Sequence, residues 1–374
     1  MTRIAIVTNV PPPYRIPVFQ RIGEMPEITF QAIFCSRREP NRLWDLPPLR
    51  FDHVFLRERF STVDGRYIHN NPDVLAALRR FRPDVVITDG FNPTHLYAFG
   101  YAWLQGLPHV AMTDGTDVSE QGLSRIHKLV RRFIYARTRA FVPASAGGER
   151  HYASYGVPAA QCFRSCLCID NAAFDPGAAP EAKRYDLMFS GRIEEVKNPG
   201  FALDVAIAAA RRLGRKVSLL FAGAGSMEAG LKQKAERHAD SVEVAFHGFA
   251  TQSELPSLYR SARLFLFPTR WDPWGVVANE ACAAGLPVLV SPQAGVVGEL
   301  VRDGENGRVL PLEVDAWSEA ASQLLTDDAL RMRYAANSLR LVRDFTFDTA
   351  AQGLVEACRF ALVSQAPMNI RMPA

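Results

Sequence analysis

Short apolar runs alternate with helix-period segments along the chain. IAIVTN (4–9) and TFQAIFC (29–35) read as strands, and 71–80 reads as a helix. VVITDG (85–90) is a third strand, followed by a helical segment at 95–105 and a strand at HVAMTDG (109–115). A basic helical stretch, SRIHKLVRRFIYARTR (124–139), leads into the strand AFVPAS (140–145). Parallel strands need crossovers of this length, so the alternation predicts a parallel sheet with helices on both faces. The pattern breaks at DNAAFDPGAAPEAKR (170–184), which is rich in Ala, Pro and Asp and has linker composition. A second alternation then starts. Strands are expected at 185–191, 216–223, 242–249, 263–269 and 286–292, with helices at 199–214, 226–239, 254–262, 276–285 and 314–325.

Two such halves in 374 residues predict two α/β domains facing a central cleft, with ligands outside the C-terminal ends of the strands. The expected division is 1–170, a linker at 171–184, 185–345, and a final segment, 346–374, that crosses back to the first domain. Hydrophobic residues at 48% and charged residues at 22% are ordinary globular composition. The N-terminus lacks a signal-peptide pattern and no apolar run is long enough to span a bilayer, so a cytoplasmic protein is expected. The net charge of +4 is uneven: residues 1–170 carry +6 and residues 171–374 carry −2. A basic first half suits an anionic partner such as a lipid surface, and the excess is too small to imply nucleic acid. Cys35, Cys282 and Cys358 read as buried thiols. Cys162, Cys166 and Cys168 fit no common zinc or iron–sulfur spacing, and the strand spacing of the last two puts both on one face.

The informative blocks are FSGRIEEVKNP (189–199), FAGAGS (221–226), FHGFATQSELPSLYRSARLFLFPT (246–269) and WDPWGVVANEACAAGLPVLVSPQAGVVGELVRDGENGRV (271–309). In order and spacing they resemble the large retaining nucleotide-sugar glycosyltransferase family often called family 4. The resemblance covers nearly the whole second half. The first half is similar more loosely, through Pro-Pro-Tyr-Arg at 12–15. It implies a GT-B architecture of two Rossmann-like domains. It also implies a nucleotide-sugar donor, UDP-sugar ahead of GDP-sugar, and retaining transfer onto a cell-surface glycan precursor or its lipid carrier. No metal is required, because basic residues replace a divalent ion at the diphosphate.

The residues make chemical sense for such a donor. Arg192 and Lys197 follow a strand, and a guanidinium fork with an ammonium can neutralise a diphosphate as the sugar bond breaks. Asp272 and Glu280 stand eight residues apart, and carboxylates accept from vicinal hydroxyls. The resemblance implies that Glu280 holds the ribose hydroxyls and that Asp272 touches the transferred sugar, where most members have Glu. Asp272 has a second reading as a helix cap. Gly223 and Gly225 follow a strand and allow close backbone approach to a ligand. The loop around Gly295 offers backbone N–H groups to the distal phosphate, and Glu299 orients the loop or contacts the nucleotide. Trp271 and Trp274 either wall a sugar pocket or pack the domain edge.

In the first half, Asp114, with Thr113 and Thr116, is the acceptor-side candidate, since the histidine the family often places after an N-domain strand has no match at that position. Arg15 follows the first strand, where it meets donor phosphates or an anionic acceptor. In 124–139, Arg125, Lys128, Arg131, Arg132 and Arg139 alternate with apolar residues, so that one face either lies on anionic lipid or packs on the sheet. Two other functions stay open: transfer to a soluble sugar or sugar phosphate, and a non-catalytic sugar-nucleotide or glycan-binding protein.

Overall fold

The computed structural model describes residues 1–40, 46–63, 66–120, 122–177 and 183–364. The chain divides into two compact units: Met1–Leu167 with Phe347–Ala374, and Cys168–Thr346. In the first unit the strands are β1 (Thr2–Thr8), β2 (Ile28–Phe34), β3 (His53–Phe55), a hairpin of β4 (Phe60–Val63) and β5 (Arg66–His69), β6 (Val85–Thr88), β7 (His109–Thr113) and β8 (Ala140–Pro143). The helices are α1 (Ile16–Gly23), α2 (Val74–Phe81), α3 (Pro93–Leu104), α4 (Arg125–Tyr135) and α5 (Ala146–Ser154). The main sheet has the order β3-β2-β1-β6-β7-β8, all parallel. Residues 4–8 of β1 are buried, as expected for a strand covered on both faces.

The second unit repeats the plan. It contains α6 (Asn171–Phe174), β9 (Tyr185–Ser190), α7 (Pro199–Leu213), β10 (Val217–Ala222), α8 (Glu228–Arg237), β11 (Val242–Gly248), α9 (Leu255–Arg260) and β12 (Ala262–Phe267). It continues with α10 (Val276–Ala283), β13 (Val288–Val290), β14 (Gly307–Val309), α11 (Val314–Thr326) and α12 (Asp328–Leu341). The order is β11-β10-β9-β12-β13-β14, again all parallel. Both sheets therefore have the doubly wound Rossmann order, which reverses between β1 and β6 in one and between β9 and β12 in the other.

Two details, α6 and the cysteine segment, differ from the sequence pattern. Residues 171–174, read as linker, form α6, whose buried Phe174 packs edge-on against Tyr259 at 5.7 Å. The part of that linker at 178–182 lies outside the described residues. Cys166 and Cys168 are buried free thiols, but residues 163–168 form no strand. The last helix, α13 (Phe347–Val363), belongs to the first unit and lies against α1 and β8. Small residues allow that close approach: a Cβ on Gly353 would stand 1.8 Å from the Arg164 carbonyl oxygen. Residues 365–374 of the final segment lie outside the described residues.

Candidate functional site

The strand reversal of the second unit brings together the loops after β9 and β12, the position where open α/β sheets bind ligands. Main chain joins these loops. Thr269, fully buried, donates from Oγ1 to the carbonyls of Val196 (3.1 Å) and Trp271 (3.0 Å). The Arg270 N–H donates to the same Val196 carbonyl at 2.8 Å. Asn198 turns the chain into α7 with a left-handed φ of 58°, which asparagine tolerates. The outcome is that Lys197 Nζ meets Asp272 Oδ2 at 2.5 Å, with both side chains mostly buried. Asp272 Oδ1 accepts from the Trp274 N–H at 3.1 Å. This is a local turn around Asp272 and not a helix cap, because the cap of α10 is Gly275 at φ 106°.

The neighbouring loops lock onto these two. Gly223 and Gly225 were expected at a ligand, but the backbone they approach is the chain's own. A Cβ on Gly223 would stand 1.9 Å from the Gly191 carbonyl oxygen, and one on Gly225 would stand 2.4 Å from that of Ile193. The Ile193 N–H donates to Ala224 and that of Met227 to Ile193. The glycines thus shape the loop carrying Arg192, whose side chain is exposed. Gly295 does the same for the Asp272 loop. Its Cβ would lie 1.9 Å from the Pro273 oxygen, and its N–H donates to the Asp272 carbonyl at 2.9 Å. Glu299 is half-buried, and its backbone carbonyl accepts from Arg302 Nε at 3.1 Å.

Glu280 lies in α10, which is otherwise buried around it, and is 7% exposed. The Tyr259 hydroxyl donates to its Oε2 at 2.6 Å. Burial raises the Glu280 carboxyl from its ordinary range to about 7, against the lowering effect of that hydrogen bond. Tyr259, Thr269 and Ser291 were not singled out in the sequence. Ser291 Oγ donates to the Thr269 carbonyl, and all three act through contacts remote in sequence. The tryptophans divide: Trp274 is buried, donates to Asn279 at 2.8 Å and packs on Phe345, whereas Trp271 is 40% exposed.

In the first unit, Arg15 is a correction. It is not open to an anion but 2% exposed, with Nη1 donating to Ser165 Oγ (2.9 Å) and to the carbonyls of Ser165 and Cys166. Its Nη2 pairs with Asp114 Oδ1 at 2.6 Å, and the Asp114 side chain is 37% exposed. At the end of β6, the buried ring of His95 meets Asp89 Oδ1 through Nε2 at 3.1 Å. In the sequence His95 stands inside a helical pattern, six residues beyond Asp89, and nothing local marks it as a partner of that carboxylate. Among the described residues no group of three or more His, Cys, Asp or Glu side chains is placed to hold a metal.

The family described as "Glycosyl transferases group 1" matches residues 172–340. A glycogen synthase of Mycobacterium tuberculosis is 28% identical over 306 residues, which cover 79% of this chain and 73% of that protein. Among solved structures, Anabaena HepE in complex with UDP aligns at a TM-score of 0.77 and 15% identity, covering 96% of this chain and all of that one. A second HepE structure contains UDP-glucose. WaaG, described as a glycosyltransferase involved in lipopolysaccharide biosynthesis, aligns at a TM-score of 0.67 and 17% identity over 96% of this chain and 99% of that one. The chain has the GT-B fold of two Rossmann-like units. It is a glycosyltransferase related to the glycogen synthases and inositol phosphate glycosyltransferases, moving a sugar from a nucleotide-sugar donor to an acceptor.

Proposed function

We propose that this chain is a retaining glycosyltransferase that uses a UDP-sugar and extends a cell-surface glycan precursor on a lipid carrier. The observation that carries the reading is the Lys197–Asp272 pair at the strand reversal of the second unit. A cation held there by a carboxylate is a ready counter-ion for a diphosphate. Asp272, being an anion, belongs with the hydroxyls of the transferred sugar. Arg192, exposed on the adjoining loop, adds a second cation for the leaving diphosphate, and Glu280 accepts from the ribose hydroxyls. The loop at Gly295 and Glu299 flanks the distal phosphate. Gly223 and Gly225 serve by fixing the Arg192 loop.

In the reaction, the anomeric C–O bond to the diphosphate breaks and the acceptor oxygen attacks from the same face. The leaving phosphate oxygen takes the acceptor's proton, giving UDP and a glycoside of retained configuration. No protein nucleophile is needed. Charge growing on the departing oxygen is met by Lys197 and Arg192. Asp114 is the acceptor-side carboxylate, and Arg15 orients it. Support for UDP comes from the HepE complexes, and support for a glycan acceptor from the role described for WaaG. A lipid carrier, and a position at the inner face of the cell membrane, are supported by α4, where Ile126, Leu129 and Phe133 are exposed beside basic residues.

Calorimetry with UDP-glucose, UDP-GlcNAc and GDP-mannose, wild type beside Glu280→Ala, tests the donor assignment. The expected result is binding of a UDP-sugar that weakens at least tenfold in the variant. Binding unaffected by the substitution would sink the ribose role of Glu280, and preference for the GDP-sugar would overturn the choice of base.

A further inference from the structure

α2, α3 and α4 lie side by side over one face of the first sheet, sharing buried clusters through Leu78, Ala98, Phe99 and Ile134. Their outward side is unusual for a surface layer. No charged residue occurs between Asp89 and Asp114, so α3 is apolar or uncharged on its outer side as well as its inner one. An all-round apolar helix is normally covered. Here Trp103 is 51% and Leu104 79% exposed, and α4 adds exposed Ile126, Leu129 and Phe133. Trp103 and Phe133 meet edge-to-face at 5.6 Å, so these residues form one patch along a groove of about 480 Å³ between α3 and α4.

The flanks of this patch are basic. α2 carries Arg79 and Arg80, and α4 carries Arg125, Lys128, Arg131 and Arg132. None of the three helices contains Asp or Glu. The carboxylates flanking α2 along the chain face other partners: Asp73 accepts from the Arg57 N–H and Asp84 from the Arg3 N–H, while Asp117, ahead of α4, accepts from Arg150 Nε. On the other side of α3, a groove of about 760 Å³ is lined by Arg79, Arg82, Tyr97, Tyr101 and Gln105. An apolar ridge between two cationic flanks, with tryptophan and tyrosine at the boundary, has the chemistry of an interface between acyl chains and anionic headgroups.

We infer that the α2–α3–α4 face docks this protein on an anionic phospholipid bilayer, with Trp103, Leu104, Leu129 and Phe133 entering the interface and the α2/α3 groove receiving headgroup phosphates. This rests on the reading of a lipid-linked acceptor and extends it from one helix to a three-helix surface. Cosedimentation with vesicles of phosphatidylcholine alone, or with 30 mol% phosphatidylglycerol, tests it on the full chain.

Wild type is expected to prefer the anionic vesicles at least tenfold, with a blue shift of tryptophan emission that Trp103→Phe removes. Arg79→Gln/Arg82→Gln should lower the affinity about 25-fold, from about fivefold per cation removed. Ile126→Glu/Leu129→Glu, two exposed sites, should abolish binding while UDP-glucose calorimetry stays unchanged. Equal binding to both vesicles, or variants that bind like wild type, would overturn the inference. So would a wild-type dimer that the double Glu variant dissociates, since the face would then be covered by a second copy. Vesicle binding without donor binding would instead count against the proposed function alone.

Discussion

A carboxyl buried under a tyrosine hydroxyl gives the donor site its own pH dependence. Glu280 in the ligand-free protein titrates at about 7, raised by desolvation. Ribose hydroxyls donate best to the ionised form, so binding should strengthen as pH rises through that value. The ionised fraction grows roughly tenfold between pH 6 and pH 8 for a group titrating at 7. UDP-glucose affinity, whose diphosphate does not itself titrate there, should follow that rise in the wild type. In Glu280→Gln it should be weaker and flat. A wild-type affinity that falls with pH would mean that the protonated carboxyl is the binding form. Lys197, Asp272 and Glu280 were visible as candidates in the sequence because chemistry and spacing coincide within short blocks. The role of Arg15 was not, because its partners Ser165 and Asp114 lie about 150 and 99 positions away. Nothing local separates a buried strut from an anion site.

At the scale of elements, most strands were legible within a residue or two, because strands covered on both faces are continuous apolar runs. The short β3, the β4–β5 hairpin, β14 and α6 were not, since each is only three or four residues long. The glycines were legible as special positions, but their partner was not. Sequence shows that a Cβ is unwelcome without showing what it would strike. At Gly223 it would strike the Gly191 carbonyl, with φ at 142°, so Gly223→Ala meets both a clash and a strained backbone. Such a change costs about 1–3 kcal/mol. Because the struck segment carries Arg192, UDP-glucose affinity should fall as well, by tenfold or more. Gly230 in α8 is the control: nothing lies within 4 Å of its Cβ position, so Gly230→Ala should leave affinity unchanged and stability equal or slightly higher. Thermal melts and calorimetry on the two variants make the comparison, and equal behaviour would remove the loop-shaping role.

Across the whole molecule, each unit depends on residues far apart in the chain. α13 completes the first unit from the C-terminal end, burying Leu354, Val355 and Cys358 against it. Inside that unit, β7 begins with His109, 2% exposed. Its Nε2 lies 3.0 Å from Thr88 Oγ1 on β6, and its Nδ1 lies 2.8 Å from Thr138 Oγ1 just before β8. The ring thus ties β7 to β6 and to the residue leading into β8 through two hydroxyls. Burial lowers its pKa from 6.5 to about 3. The folded protein therefore keeps this histidine neutral over a range in which the unfolded chain protonates it. Stability from this group is complete above pH 6.5 and declines as pH falls towards 3, at up to about 1.4 kcal/mol per pH unit. Between pH 7.5 and pH 5 the loss from this one site is about 2 kcal/mol. His109→Gln keeps hydrogen-bonding capacity without the titration. It should be less stable than wild type at pH 7.5, and its own stability should fall about 2 kcal/mol less on acidification to pH 5. Urea unfolding of both proteins at the two pH values gives the difference directly, and parallel losses would show that His109 takes up its proton without unfolding the sheet.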